Sequence, residues 1–283
     1  MITSILPSLQ NTINYDIPSL HSIFHYFFKR NTNPQNNSLQ NTRWTVGGVE
    51  NVGNTCFINV VLQELANFPE VYDADLFKKS DNDNNSELQN LLKKILKDIR
   101  TGNPTKANSI IHLRSLLKQK GWTEPPCSRI KQILNKIFPH IFPPPFQSPF
   151  KLHHFILKCF DSDTSSIILI DDNPKNLAEK LYSVDKRLKE INLPRENTKT
   201  SLCRIMLPLD HDYDFSDTIE TNTHRFILEQ VQYSPTKNHI ATARKTDNYW
   251  LHINDDKVFS NKRPPNHQAV LLIYKAIEKK NKI

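Results

Sequence analysis

Along the first half of the chain, apolar residues recur at helical spacing. Ile58, Val61, Leu62, Leu65 and Phe68 predict a helix over 57–68 that buries one face. Leu88, Leu91, Leu92, Ile95, Leu96 and Ile99 repeat the pattern, and Gly102 with Pro104 should stop it. Similar spacing predicts helices over 108–120 and 128–138. Beyond Pro139, Pro143, Pro144, Pro145 and Pro149 the texture changes. The runs HHFILKCF, SSIILI, SLCRIML, THRFILEQVQY, HIATARK and AVLLIYK read as short strands, with one helical insert near 176–191. Helices that come first and strands that follow favour an α+β fold over a doubly wound sheet.

The polar, asparagine-rich stretch KRNTNPQNNSLQNT has almost nothing to bury and reads as a linker. The expected organisation is therefore an extension and linker over 1–43, a helical part over 44–145 and a β-rich part over 146–283. An amphipathic piece at 14–30 suits either a docking segment or a packed helix. The apolar stretch from Ile17 to Phe28 is interrupted by Ser19, His21, Ser22 and His25 and is too short to span a bilayer. No basic residue precedes it and no A-x-A pattern follows, so a secretory signal is not expected and Met1 should begin the mature chain.

Composition narrows the chemistry. The 283 residues carry a net charge of +8, but the lysines are scattered, so nucleic acid is not expected as a partner. Cys56, Cys127, Cys159 and Cys203 form no C-x-x-C pair. That excludes a dense disulfide framework and a four-thiolate zinc site, so no metal or cofactor is expected. A reducing, cytoplasmic compartment follows.

Two segments stand out as candidate chemistry. Gly47, Gly48 and Gly53, three of only five glycines, precede NTCFINVVLQEL. A tight loop there would deliver Asn54 and Thr55 as caps and Cys56 to the first turn of a helix. The positive end of a helix stabilises a thiolate, although a lone cysteine can equally be a small buried apolar residue. The second segment, HIATARKTDNYWLHINDDKVF, predicts a hairpin turning at Thr246-Asp247-Asn248 that brings His239 to Asn254. His239 could then take the thiol proton while Asn254 fixes its tautomer. The order cysteine, distant histidine, asparagine is that of papain-like cysteine proteases.

GGVENVGNTCFINVVLQEL resembles the cysteine box of the ubiquitin-specific proteases, G-L-x-N-x-G-N-T-C-(Y/F)-(M/L)-N-(S/A)-x-L-Q-x-L. HIATARK, NYWLHINDDKVF and AVLLIYK resemble the same family's histidine box. The resemblance implies a papain-like fold with a helical thumb-like first half, an antiparallel palm-like second half and reduced fingers. It also implies Cys56 as nucleophile, His239 as base, Asn254 as third member, Asn51 as oxyanion donor and Asp255 as an aid near the oxyanion. Its implied activity is hydrolysis of the bond after the Gly-Gly tail of ubiquitin; the chain itself is expected to be a monomer. Asp210, Asp212, Asp214 and Asp217 are candidates for the basic tail of that substrate, with a solvated loop as the plainer reading.

Departures from the family pattern keep other outcomes open. Asn238 and Ile240 flank His239 where the family has glycine and tyrosine, WTEPPCSRIKQIL stands where an internal Q-Q-D-A box belongs, and zinc-binding C-x-x-C pairs are absent. The alternatives are the same chemistry on another ubiquitin-like modifier, a non-catalytic ubiquitin-binding module, or a thiol acyltransferase. The Asn-, Lys- and Ile-rich texture would suit a bacterial or parasite protein acting in a host cytosol.

Overall fold

The computed structural model describes residues 46–78, 85–123, 148–162, 167–170, 201–207, 215–236, 239–264 and 269–279. Among the described residues five helices come first: α1 (Cys56–Asn67), α2 (Pro69–Leu76), α3 (Ser86–Arg100), α4 (Ala107–Gln119) and α5 (Pro149–Cys159). Eight strands follow: β1 (Ile167–Ile170), β2 (Ser201–Met206), β3 (Thr218–Glu220), β4 (His224–Thr236), β5 (His239–Lys245), β6 (Trp250–Asn254), β7 (Lys257–Asn261) and β8 (Ala269–Glu278). The fold is α+β, with the helices first in the chain and a mainly antiparallel sheet after them, as expected. The helices expected at 128–138 and 176–191 lie outside the described residues.

Three of the expected helices form within a residue or two of the spacing that predicts them. Gly102 follows α3 with φ +74°, a left-handed conformation that glycine adopts without steric cost. The run HHFILKCF, expected as a strand, is instead most of α5. Ser148 accepts the Lys151 N–H at its start, Pro149 occupies the first turn, and Leu152, Ile156 and Leu157 are buried on one stripe. The contiguous apolar letters concealed a helical period.

The sheet runs in the order β1-β2-β8-β4-β5-β6-β7, with β3 on β4. All pairings are antiparallel except β1 with β2. One face contributes Leu202, Leu251, Ile253, Leu271 and Ile273 to the core that also contains the buried faces of the helices. The other gathers Cys203, Phe226, Leu228, Val231, Trp250, Leu272 and Tyr274.

Helix α1 sits at the centre, with every residue from Cys56 to Ala66 buried. Such a helix should be apolar throughout, yet it carries Asn59, Gln63 and Glu64. Each has a partner. Gln63 Nε2 donates to the Gly47 carbonyl at 2.8 Å. Glu64 Oε1 accepts from the Tyr72 hydroxyl at 3.0 Å, while its Oε2 accepts from Arg204 Nη2 at 3.2 Å and Gln232 Nε2 at 3.1 Å. His153 completes the cluster, its Nδ1 accepting from Arg204 Nη1 at 3.2 Å. Arginine can only donate, so the imidazole proton sits on Nε2, facing Tyr72 and Glu64. Burial and the adjacent guanidinium push the His153 pKa well down, and burial pushes Glu64 up against the pull of Arg204.

Candidate active site

Residues 46–55 form a loop threaded between α4 and the turn after β6. Val49 pairs in parallel with Thr105, Glu50 Oε2 accepts the Ala107 N–H at 2.9 Å, and Arg114 donates to the Gly53 carbonyl at 3.3 Å. Gly53 and Asn54 have φ +85° and +52°, the left-handed turn that swings the chain into α1. Neither Asn54 nor Thr55 caps the helix through its side chain, contrary to expectation. Thr55 Oγ1 instead accepts the Val52 N–H at 3.1 Å. The Asn51 carboxamide oxygen takes the Gly53 and Thr55 N–H groups and the Thr55 hydroxyl at 3.1–3.3 Å. The loop closes on itself before delivering Cys56 to the first position of α1.

The predicted hairpin forms, with Lys245 paired to Trp250 and the turn closed by Thr246 and Tyr249. His239 opens β5, Asn254 ends β6, and Asp255 begins the next turn with φ +55°. His239 Nε2 lies 2.5 Å from Asn254 Oδ1 and 3.5 Å from Asp255 Oδ2. That leaves Nδ1 for Cys56, whose side chain hydrogen-bonds the imidazole. Cys56, Val60 and Ile240 form a small buried apolar cluster beneath.

The structure thus brings Cys56, His239, Asn254, Asp255 and Asn51 together from three segments. Asn51 Nδ2 donates to Asp255 Oδ2 at 2.9 Å, which leaves one amide hydrogen to offer elsewhere. Asp210, Asp212, Asp214 and Asn238 lie outside the described residues. Asp217 is described, and it pairs with Lys245 at 3.4 Å. No group of three or more metal-ligating side chains occurs among the described residues.

The hydrogen bond that the protonated ring donates to the Cys56 sulfur is the largest influence holding the His239 pKa up at about 9; Asn254 and the Asp255 carboxylate add to it and burial opposes it. Two consequences have a definite sign. The folded protein keeps the His239 proton to about pH 9, whereas an ordinary imidazole releases it near 6.5. The stability tied to that proton is therefore complete below pH 6.5 and fades as pH rises through about 9. If imidazolium is the working form, kcat/KM should fall on an alkaline limb near pH 9, and Asn254→Ala should move that limb downward. A limb in Asn254→Ala that coincides with the parent's would contradict this.

Residues 47–143 match the family model described as ubiquitin carboxyl-terminal hydrolase. Over this third of the chain the protein is similar to that family. The match contains Asn51, Cys56 and the whole of α1 to α4, so the family resemblance carried by the cysteine box is borne out. Similar solved structures include the SAGA DUB module Ubp8/Sgf11/Sus1/Sgf73 bound to monoubiquitin, at 15% identity and a TM-score of 0.48, covering 93% of this chain and 76% of that one. The SAGA Ubp8/Sgf11/Sus1/Sgf73 DUB module is similar at 15% identity and TM-score 0.46, over 93% of this chain and 75% of that chain. No curated protein matches.

Two features of this site escaped sequence reasoning. Asn59 links α1 to Asp255, and Gly48 lies under Asp256. The signal for Asn59 was a polar residue within an otherwise apolar helical pattern. At Gly48 a Cβ would lie 2.5 Å from the Asp256 carbonyl oxygen, a backbone atom with nowhere to go. Gly48→Ala should therefore cost about 1–3 kcal/mol in urea unfolding. Because the displaced turn carries Asp255, turnover should fall by more than the folded fraction does. Unchanged unfolding would refute the close packing.

Proposed function

We propose that the protein is a cysteine-type deubiquitinase that cleaves the isopeptide or peptide bond after the C-terminal Gly-Gly of ubiquitin. The observation that carries this reading is Cys56 at the N-terminus of a buried helix, hydrogen-bonded to an imidazole whose other face is held by Asn254 and Asp255. The family match over 47–143 supports ubiquitin as the substrate class.

In this mechanism the Cys56 sulfur attacks the carbonyl carbon of the terminal glycine as the thiolate, and His239 carries the proton. Negative charge moves to the carbonyl oxygen. The helix-terminal N–H of Cys56 and the remaining Asn51 amide hydrogen stabilise it, a contribution of several kcal/mol in such sites. As the carbon–nitrogen bond breaks, His239 gives its proton to the leaving amine and a thioester remains. His239 then takes a proton from water, the resulting hydroxide attacks the thioester, and the carboxylate product and the thiol are released. Asn254 keeps Nδ1 directed at sulfur throughout. A reducing, cytoplasmic compartment suits an enzyme that depends on a free thiol.

The test is hydrolysis of ubiquitin joined to a lysine side chain, beside equivalent conjugates of other ubiquitin-like modifiers. Release from ubiquitin is expected. Release from another modifier alone would keep the chemistry and replace the substrate, and folded protein that releases none would overturn the enzymatic reading.

A further inference from the structure

Asn59 is one helical turn after Cys56 on α1 and is 97% shielded from solvent, with 3% exposure. An asparagine buried in a helix otherwise facing apolar core has to be satisfied or it costs stability. Its Nδ2 donates to the Asp255 carboxylate at 2.7 Å, through Oδ1, and to the Val49 carbonyl at 3.1 Å. Both amide hydrogens are thereby used. Val49 in turn donates its N–H to the Asp255 carbonyl at 2.9 Å. The other carboxylate oxygen of Asp255 accepts from Asn51 and faces His239.

One side chain on the nucleophile's own helix therefore joins the loop that carries Asn51 to the turn that follows Asn254. Asp255 needs such a hold, because its backbone is in the left-handed region and its carboxylate would be better solvated pointing outward. We propose that Asn59 is a positioning residue that fixes the Asp255 carboxylate between Asn51 and His239, so that all three are in register with Cys56. It touches neither substrate nor reacting atoms and acts only through Asp255 and Val49. This rests on the deubiquitinase reading for its activity assay, but its geometry does not.

The consequence is a specific coupling. Asn59→Leu keeps the bulk and apolar fit of the side chain while removing both donors. Asp255 then loses one of its two side-chain amide partners and drifts from the imidazole. Misplacement of about an ångström in such a constellation can lower turnover by as much as 100-fold. The loss should require Asp255. In a protein already carrying Asp255→Ala, the further change at Asn59 should cost less than about 3-fold, because coupled residues are non-additive.

The experiment is a double-mutant cycle over Asn59→Leu and Asp255→Ala, read as kcat/KM on a ubiquitin C-terminal amide, together with an NMR titration of His239 in each protein. The expected result is at least a 10-fold loss for Asn59→Leu alone, little further loss on the Asp255→Ala background, and a lower His239 titration midpoint in Asn59→Leu. Equal losses in both backgrounds, or a His239 midpoint that does not move, would overturn the proposal. The titration requires no substrate, so an inactive parent protein would sink the deubiquitinase reading and still leave Asn59 testable. If Asn59→Leu does not fold, Asn59→Ser, too short to reach Asp255, replaces it in the same cycle with the same expectations.

Discussion

Replacing Cys56 by alanine should abolish release of the group attached to the ubiquitin C-terminus, and replacing His239 by alanine should lower it by about 1,000-fold or more. The double replacement should be no worse than Cys56→Ala, since the two side chains act as one unit whose function ends when either is missing. The reason lies in their placement. Cys56 is buried at the start of α1 beside Val60 and Ile240, and its side chain has His239 as a hydrogen-bonding partner. No other histidine is held by Asn254 and Asp255, so none among the described residues can take over. Binding of ubiquitin to Cys56→Ala should persist, because the change removes one buried sulfur atom and leaves the exposed surface as it was. Residual turnover in Cys56→Ala would show that some other group performs the chemistry.

The second large effect lies far from the reaction. Glu64 and Arg204 are 0% and 1% exposed, and Glu64 Oε1 is 3.0 Å from Arg204 Nε. Removing one member strands a charge among Tyr72, His153 and Gln232, so Arg204→Met should cost about 3–5 kcal/mol in urea unfolding. Replacing both by leucine should cost less than either single change, because no charge is then left uncompensated. Since Glu64 is on α1, two turns beyond Cys56, Arg204→Met protein that still folds should also turn over more slowly. Single replacements that cost under about 1 kcal/mol would show that the cluster is solvated in the native state.

Much of this architecture was readable because it is local. The heptad-like spacing from Leu88 to Ile99 is sufficient to place α3, and Gly102 supplies its stop. The hairpin from His239 to Asn254 followed from two short β-like runs around a polar turn. Where local pattern misled, as in HHFILKCF, the alternating and helical readings of a short apolar run were close, and Ser148-Pro149 decided for the helix by organising its first turn. The polar links of α1 could not be read at all. Glu64 meets Arg204 across 140 positions and Asn59 meets Asp255 across 196, and no periodicity encodes a partner at such distance. What the sequence did offer was their oddity, since three polar residues lie on a helix with no exposed side. The family boxes singled out Asn51, Cys56, His239, Asn254 and Asp255, which the fold brings near one another, but gave no hint that the Asn51 carboxamide oxygen closes its own loop.

The measurement that tests the central claim most directly is reaction of the purified protein with ubiquitin carrying an electrophile in place of its C-terminal carboxylate, followed by intact mass and mapping of the adduct. The account predicts one ubiquitin added per chain, attached at Cys56, and lost in His239→Ala. An adduct at Cys159 or Cys203 instead, or none on folded protein, would contradict it.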